Sequence, residues 1–98
     1  MALTGRDRIM RDIRNQKAFT VGNVRGEWIN QPADIERGQL PRDVELPEWG
    51  PVFVVFSYRT PIAWWCGDTW TMPTVKYSAT TTNHQRVTAQ AVAASVTA

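Results

Sequence analysis

Residues 52–65 read VFVVFSYRTPIAWW, and this stretch decides the predicted fold. Its first five residues are β-branched or aromatic and apolar on both faces, as in a central β-strand. Residues 57–60 are more polar and are predicted to continue that strand. Pro61 has no backbone N–H, so we expect a break, a bulge or a sheet edge there. Gly67 and Asp68 then predict a hairpin turn that returns through residues 69–72.

Two helices are predicted at the two ends of the chain. Thr4 is a candidate N-cap residue, and Ile9 and Ile13 recur at helical spacing, which predicts a helix over about residues 5–16. Residues 82–85 have the form of a capping box ahead of an alanine-rich stretch, which predicts a second helix to about residue 95. Residues 18–24 and 74–78 alternate like strands. The predicted fold class is therefore α+β, a small, mostly antiparallel β-sheet with an N-terminal and a C-terminal helix.

The segment 31–50 follows neither the helical nor the strand period. Three prolines interrupt it, and the pair Pro41 and Pro47 favours an extended conformation between them. A loop of about 20 residues is long for a compact domain. The segment is therefore predicted to be disordered, a binding element or an ordinary acidic insertion.

Length and composition favour one small domain over residues 1–98. The chain is 43% hydrophobic and has one cysteine, Cys66, so no internal disulfide can form and a reducing, cytoplasmic location is expected. No run of about 18 apolar residues is present, and the start does not have the pattern of a secretory signal. We therefore expect no contact with a membrane.

Charge is unevenly distributed along the chain. Residues 1–25 carry a net charge of +4, residues 26–50 carry −4 and residues 51–98 carry +2. The first two segments can neutralise each other within the fold, or they can present two faces of opposite sign to partners. The second arrangement leads to one functional alternative, a nucleic-acid accessory protein that uses the basic residues of the first helix, Arg8, Arg11, Arg14 and Lys17.

Established catalytic and metal-binding motifs are absent from the sequence. It contains no phosphate-binding glycine loop, and one histidine with one cysteine cannot form a structural zinc site. No catalytic residue, metal or cofactor is therefore predicted. The polar run 77–85 suggests a small-ligand or nucleotide site at a strand-to-helix junction, formed by Tyr77, Thr80, Thr81 and His84. The alternative is that the threonines only cap the helix and His84 forms local hydrogen bonds.

Five tryptophans are many for a chain of 98 residues. Trp64 and Trp65 are adjacent, so their side chains are expected on opposite faces of a strand. Packing within the sheet accounts for part of the set, and the remainder predicts an exposed aromatic surface of the kind found at protein interfaces. The predicted partner-contact residues are Tyr58, Trp64, Trp65, Trp28 and Trp49.

Two stretches resemble a known group of proteins. Residues 56–64 (FSYRTPIAW) and 75–85 (VKYSATTTNHQ) are similar to short, uncharacterised proteins of actinobacteria and their bacteriophages that read roughly SYxTPIAW and VxYSxTTxxHQ. Residues 22–27 also resemble that group. The resemblance implies a bacteriophage origin, and it transfers no catalytic residue because the group has no settled activity.

These observations lead to one principal hypothesis about function. The chain is expected to be a non-enzymatic bacteriophage protein that binds a host or phage protein in the cytoplasm of the bacterial host. Nucleic acid and a small ligand are the alternative partners, and a homo-oligomer is a further option.

Overall fold

The apolar run 52–57 forms the central strand of a five-stranded sheet. A computed structural model describes the backbone of residues 4–67 and 69–96. All strand pairs are antiparallel, and strands that follow one another in the chain are neighbours in the sheet. The strands are β1 (Phe19–Val21), β2 (Val24–Ile29), β3 (Val52–Ser57), β4 (Thr60–Trp65) and β5 (Trp70–Thr71), and the helices are α1 (Gly5–Arg14) and α2 (Ala79–Val96). The α+β prediction is confirmed.

Both faces of β3 are buried because a different layer covers each one. Successive side chains of a strand point to opposite faces. Positions 53 and 55 pack in the same cluster as Ile9 and Ile13 of α1. Positions 52, 54 and 56 pack in a second cluster with Ile35 and Leu40. The sheet is therefore the middle layer of three.

The segment 30–51, which we call the outer segment, forms the layer opposite the helices. It contains one short 3-10 helix, Pro32–Asp34, and is otherwise irregular. Ile35 and Leu40 are buried against the sheet. The guanidinium of Arg37 holds the segment's own backbone, since its Nη2 donates to the carbonyls of Pro41 at 2.7 Å and Val44 at 2.9 Å. The outer segment is therefore part of the core and not a peripheral insertion.

α1 begins as predicted and ends two residues earlier. The side chain of Thr4 accepts a hydrogen bond from the backbone N–H of Asp7 at 3.1 Å, which caps the first turn. Asn15 occupies the C-cap position, and Gln16 adopts a positive φ of 48° that no helix continues through. The helix therefore stops at Arg14.

α2 begins three residues before the predicted capping box. Ser78 supplies the cap, because its Oγ accepts from the backbone N–H of Thr81 at 3.3 Å. Gln85 reaches back to a different group, and its Nε2 donates to the carbonyl of Val75 at 3.0 Å. That bond holds the preceding segment against the helix. Residues 74–78 are irregular, so the strand predicted there is wrong. Within the described residues, neither helix is long and apolar enough to cross a membrane.

The connection between β3 and β4 corrects one prediction and confirms another. Tyr58 and Arg59 form a tight turn, with Tyr58 at a φ of 57°, so β3 ends at Ser57 and does not continue to residue 60 as predicted. The pairing register of β3 with β4 shifts between Val55 and Phe56, opposite the residues that follow Pro61. This irregularity is the bulge expected beside the proline.

Two further hairpins complete the sheet. Gly22, at a φ of 58°, forms the turn between β1 and β2, so residues 18–24 span a turn and not a single strand. Gly67, at a φ of 83°, lies in the predicted turn between β4 and β5. The other turn residue, Asp68, lies outside the described residues.

Candidate functional site

A cluster of hydroxyl groups joins the end of β3 to the first turns of α2. The Oγ of Ser57 lies 2.7 Å from Nδ1 of His84 and 3.1 Å from Oγ1 of Thr81. Ser78 adds a third hydroxyl, 3.3 Å from that of Thr81. The ring of Tyr58 lies against His84 with centroids 6.0 Å apart. The two stretches singled out by motif resemblance therefore meet in space.

His84 favours its neutral form in this cluster. Desolvation by burial lowers the pKa of His84 below its ordinary value of 6.5. The residue sits in the second turn of α2, because the helix begins at Ala79, before the predicted capping box. Nδ1 of the ring and the hydroxyl of Ser57 are hydrogen-bonded to each other, and the tautomer of His84 determines which of the two groups donates.

A cleft of about 230 Å³ opens beside the cluster. It is lined by hydroxyl, phenol and amide side chains and by no charged residue: Gln39, Ser57, Tyr58, Thr60, Tyr77, Ser78 and Thr81. Burial raises the pKa of the Tyr77 phenol. Such a lining can accommodate a small neutral molecule that both donates and accepts hydrogen bonds.

The structure brings together three of the four residues predicted for a ligand site. Tyr77 and Thr81 line the cleft, and His84 is connected to it through Ser57. Thr80 is exposed and does not line the cleft. Sequence reasoning missed Ser57 and Gln39, which belong to other layers of the fold. Ser57 stands inside the stretch that carries the motif resemblance, and that was the available signal.

The contact between Ser57 and His84 resembles a nucleophile with its base, but its surroundings do not support acyl transfer. Such a reaction needs free N–H donors beside the serine to stabilise an oxyanion. The neighbouring backbone N–H of Tyr58 already donates to the carbonyl of Asn23 at 2.7 Å. Ser57 is also only 1% exposed. The geometry therefore fits a link between α2 and the sheet better than a nucleophile.

Lowering the pH from about 7.5 to about 5.5 is expected to destabilise the native state through His84. Because burial lowers the folded-state pKa of His84 below 6.5, the unfolded chain binds this proton at a higher pH than the folded chain. The neutral ring of His84 therefore contributes fully to the free energy of unfolding above about pH 6.5. This stabilisation is lost as the pH falls through the folded-state pKa of His84. Urea unfolding at several pH values measures the effect. His84→Gln should flatten the curve in this window, and a wild-type curve as flat as that of the variant would contradict the assignment.

A second candidate site is an open groove where β2 ends and β3 begins. Trp28 and Trp65 meet edge to face with ring centroids 5.9 Å apart. The indole Nε1 of Trp28 donates to the carbonyl of Gln16 at 2.8 Å, which fixes that ring. The tryptophan groove measures about 480 Å³ and is lined by Trp28, Pro47, Glu48, Trp49, Gly50, Pro51, Trp65, Cys66 and Gly67.

The five residues predicted to contact a partner separate into three environments. Trp28 is 42% exposed and Trp49 is 83% exposed, and both line the tryptophan groove with Trp65. Trp64 is only 2% exposed because the outer segment covers its face of the sheet, so it is a core residue and does not belong to a contact surface. Tyr58 is exposed but lies in the turn after β3, at the opposite end of that strand from the groove.

The four basic residues of the nucleic-acid alternative are all exposed on or just after α1. Arg11 pairs with the neighbouring Asp12, their Nε and Oδ1 atoms 3.1 Å apart. Within residues 4–67 and 69–96, no ion pair joins the basic N-terminal segment to the acidic outer segment. The two segments pack on different faces of the sheet, so direct ion pairing between them is not the arrangement found.

Comparisons with known proteins place the chain in a family without assigning an activity. Across the described part of the chain, no group of three or more His, Cys, Asp or Glu side chains is arranged to hold a metal ion. No curated protein and no solved structure matches this chain. A family model matches residues 9–95, which include the whole sheet, the outer segment, the second half of α1 and all of α2 except its last residue. The chain belongs to the family of unknown function DUF8033.

Proposed function

We propose that this protein is a non-enzymatic binding module that contacts another protein through the tryptophan groove. The observation that carries the proposal is the exposure of Trp49 and Trp28 around an open apolar groove, with Trp65 as its inner wall. Indole rings supply large, rigid contact areas and are enriched among the residues that dominate binding energy at interfaces. An 83% exposed tryptophan has no role in the core.

The chemistry of the groove favours an extended segment with an apolar anchor and a basic residue. Its walls are indole rings and two prolines, and among the residues that the structure describes its one ionisable carboxylate is that of Glu48. Aromatic-lined grooves bind extended, proline-containing segments, and indole faces attract the cations of arginine and lysine. Glu48 can pair with such a cation at the rim.

The motif resemblance supports a bacteriophage source for the chain. The partner is then a host or phage protein in the cytoplasm of the infected bacterium. The lone cysteine, Cys66, agrees with a reducing compartment.

Selection from a displayed random-peptide library against the purified protein tests the proposal. We expect enrichment of peptides that combine an apolar or proline anchor with a lysine or arginine. Trp49→Ala is expected to weaken the enriched peptide's Kd by about 30-fold, the loss of about 2 kcal/mol that defines an interface hot spot. Isothermal titration calorimetry measures the change.

Tyr58→Ala is the matched control, because Tyr58 is also an exposed aromatic residue but lies at the other end of β3. This variant is expected to bind the peptide within about twofold of the wild type. A library that yields no enriched peptide contradicts the proposal. Equal losses of affinity in the Trp49 and Tyr58 variants contradict it as well.

A further inference from the structure

Opposite charges lie on opposite sides of the sheet. The helix layer, residues 4–17 and 72–96, carries seven cations and two anions, a net charge of +5. The outer segment carries five carboxylates and two arginines, a net charge of −3. The two layers pack on different faces of β3, so the near-neutral total of +2 conceals a strongly polarised molecule.

Ion pairing leaves the positive charge of the helix layer largely uncompensated. One of its two anions, Asp12, is buried and lies against Arg11. Glu36 of the outer segment pairs with Arg59 of the β3–β4 turn, their Oε1 and Nε atoms 3.8 Å apart, and so does not reach the helices. Arg8, Arg14 and Lys17 remain exposed.

The positive surface continues from α1 onto α2. The guanidinium of Arg6 donates to the side-chain carbonyl of Gln90, one helical turn from Arg86. Arg86 and Lys76 line a shallow groove of about 430 Å³ whose lining includes no acidic residue. The described part of α2 has no acidic side chain. Exposed cations therefore lie on both helices, and we call the exposed cations of residues 4–17 and 72–96 the basic face.

We propose that the basic face binds the phosphate backbone of a nucleic acid. Arg8, Arg11 and Arg14 follow one another at about 4.5 Å along the helix axis and offer forked donors that match phosphate oxygens. An anionic membrane is less suitable, because a helix that lies on a bilayer inserts its apolar stripe. In α1 that stripe, Ile9 and Ile13, is already buried in the core. Binding is independent of base sequence, since phosphate contacts carry no sequence information.

Fluorescence anisotropy with a labelled DNA duplex of about 20 base pairs tests this proposal. Raising the salt concentration from about 50 to about 200 mM is expected to weaken binding about 100-fold, as for about four phosphate contacts. The double variant Arg8→Gln/Arg14→Gln is expected to weaken binding at least tenfold at low salt. The same double variant should also make the slope of the logarithm of the association constant against the logarithm of the salt concentration less steep by about two. Arg86→Gln, a second variant located on α2, should weaken binding about threefold or more.

Arg42→Gln/Arg59→Gln is the matched control, because it removes the same charge from exposed positions outside the basic face. It is expected to bind within about twofold of the wild type. No binding at low salt would overturn the proposal. Equal losses of DNA affinity in the two double variants would show that binding depends only on the net charge of the protein. That result would also overturn the proposal. Tighter binding to phosphatidylglycerol vesicles than to the duplex would contradict the proposal and would indicate that the basic face binds an anionic membrane. These tests leave the tryptophan groove untouched, so their failure does not bear on the protein-binding proposal.

Discussion

Replacing Trp64 with alanine is expected to lower the free energy of unfolding by about 3–5 kcal/mol, the range for large aromatic residues removed from a core. Trp64 is almost fully buried between β4 and the outer segment, in one cluster with Val54, Phe56 and Leu40. Its loss leaves a cavity beneath an irregular segment that has few backbone hydrogen bonds of its own. Such a loss is a large fraction of the stability of a small domain.

The matched control for this prediction is the same substitution at Trp49. Because Trp49 is 83% exposed, Trp49→Ala is expected to change the free energy of unfolding by no more than about 0.5 kcal/mol. Urea unfolding followed by far-UV circular dichroism measures both variants. Trypsin should also cleave the Trp64 variant faster at Arg42, in the outer segment. Similar small losses in both variants would mean that the outer segment is not a core layer.

Gly26→Ala is expected to destabilise the protein by about 1–3 kcal/mol, because no space exists for a side chain there. A Cβ at this position of β2 would lie 2.5 Å from Cε1 of Phe19 and 2.7 Å from Cζ of Phe53. Both rings are buried beneath the helices and cannot move away freely. The glycine is therefore required by packing and not by a turn conformation.

A double-mutant cycle with Phe19→Leu separates this crowding from other effects of the alanine. The smaller leucine removes one of the two contacts, so the double variant should be more stable than the sum of the single losses predicts. A coupling free energy of about 0.5–3 kcal/mol is expected from chemical denaturation. Additive losses would show that contact with Phe19 is not the cause.

The parts of the fold that follow from local patterns could be predicted from the sequence. The continuous apolar run 52–56 identified a central strand, and the Thr4 cap with Ile9 and Ile13 identified α1. The adjacent pair Trp64 and Trp65 was expected on opposite faces, and the two residues indeed belong to different clusters. In each case, the deciding residues are near neighbours in the chain.

The outer segment could not be predicted because its order depends on distant residues. Ile35 and Leu40 follow no helical or strand period, and prolines separate the apolar positions. They are placed mainly by residues of β3 and β4, which come later in the chain. The burial of Trp64 follows from that cover and was missed for the same reason.

The candidate sites show the same division between local and distant information. The polar run 77–85 pointed to Thr81 and His84, but Ser57, which joins them, is 27 residues away from His84. The tryptophan groove likewise combines Trp28, Trp49 and Trp65 from three parts of the chain. The residue types identified the individual candidate residues, whereas the topology of the sheet determined which of them lie close together.

The most direct test of the protein-binding proposal is a two-dimensional ¹⁵N NMR titration that follows the indole N–H signals of the five tryptophans. The probe is the enriched peptide from the display selection, added to the wild-type chain. We predict that the signals of Trp28, Trp49 and Trp65 shift in a saturable manner, while those of the buried Trp64 and the half-buried Trp70, which do not line the groove, stay in place. Saturable shifts confined to the backbone amides of α1 and α2, with the three groove signals unchanged, would contradict the proposal.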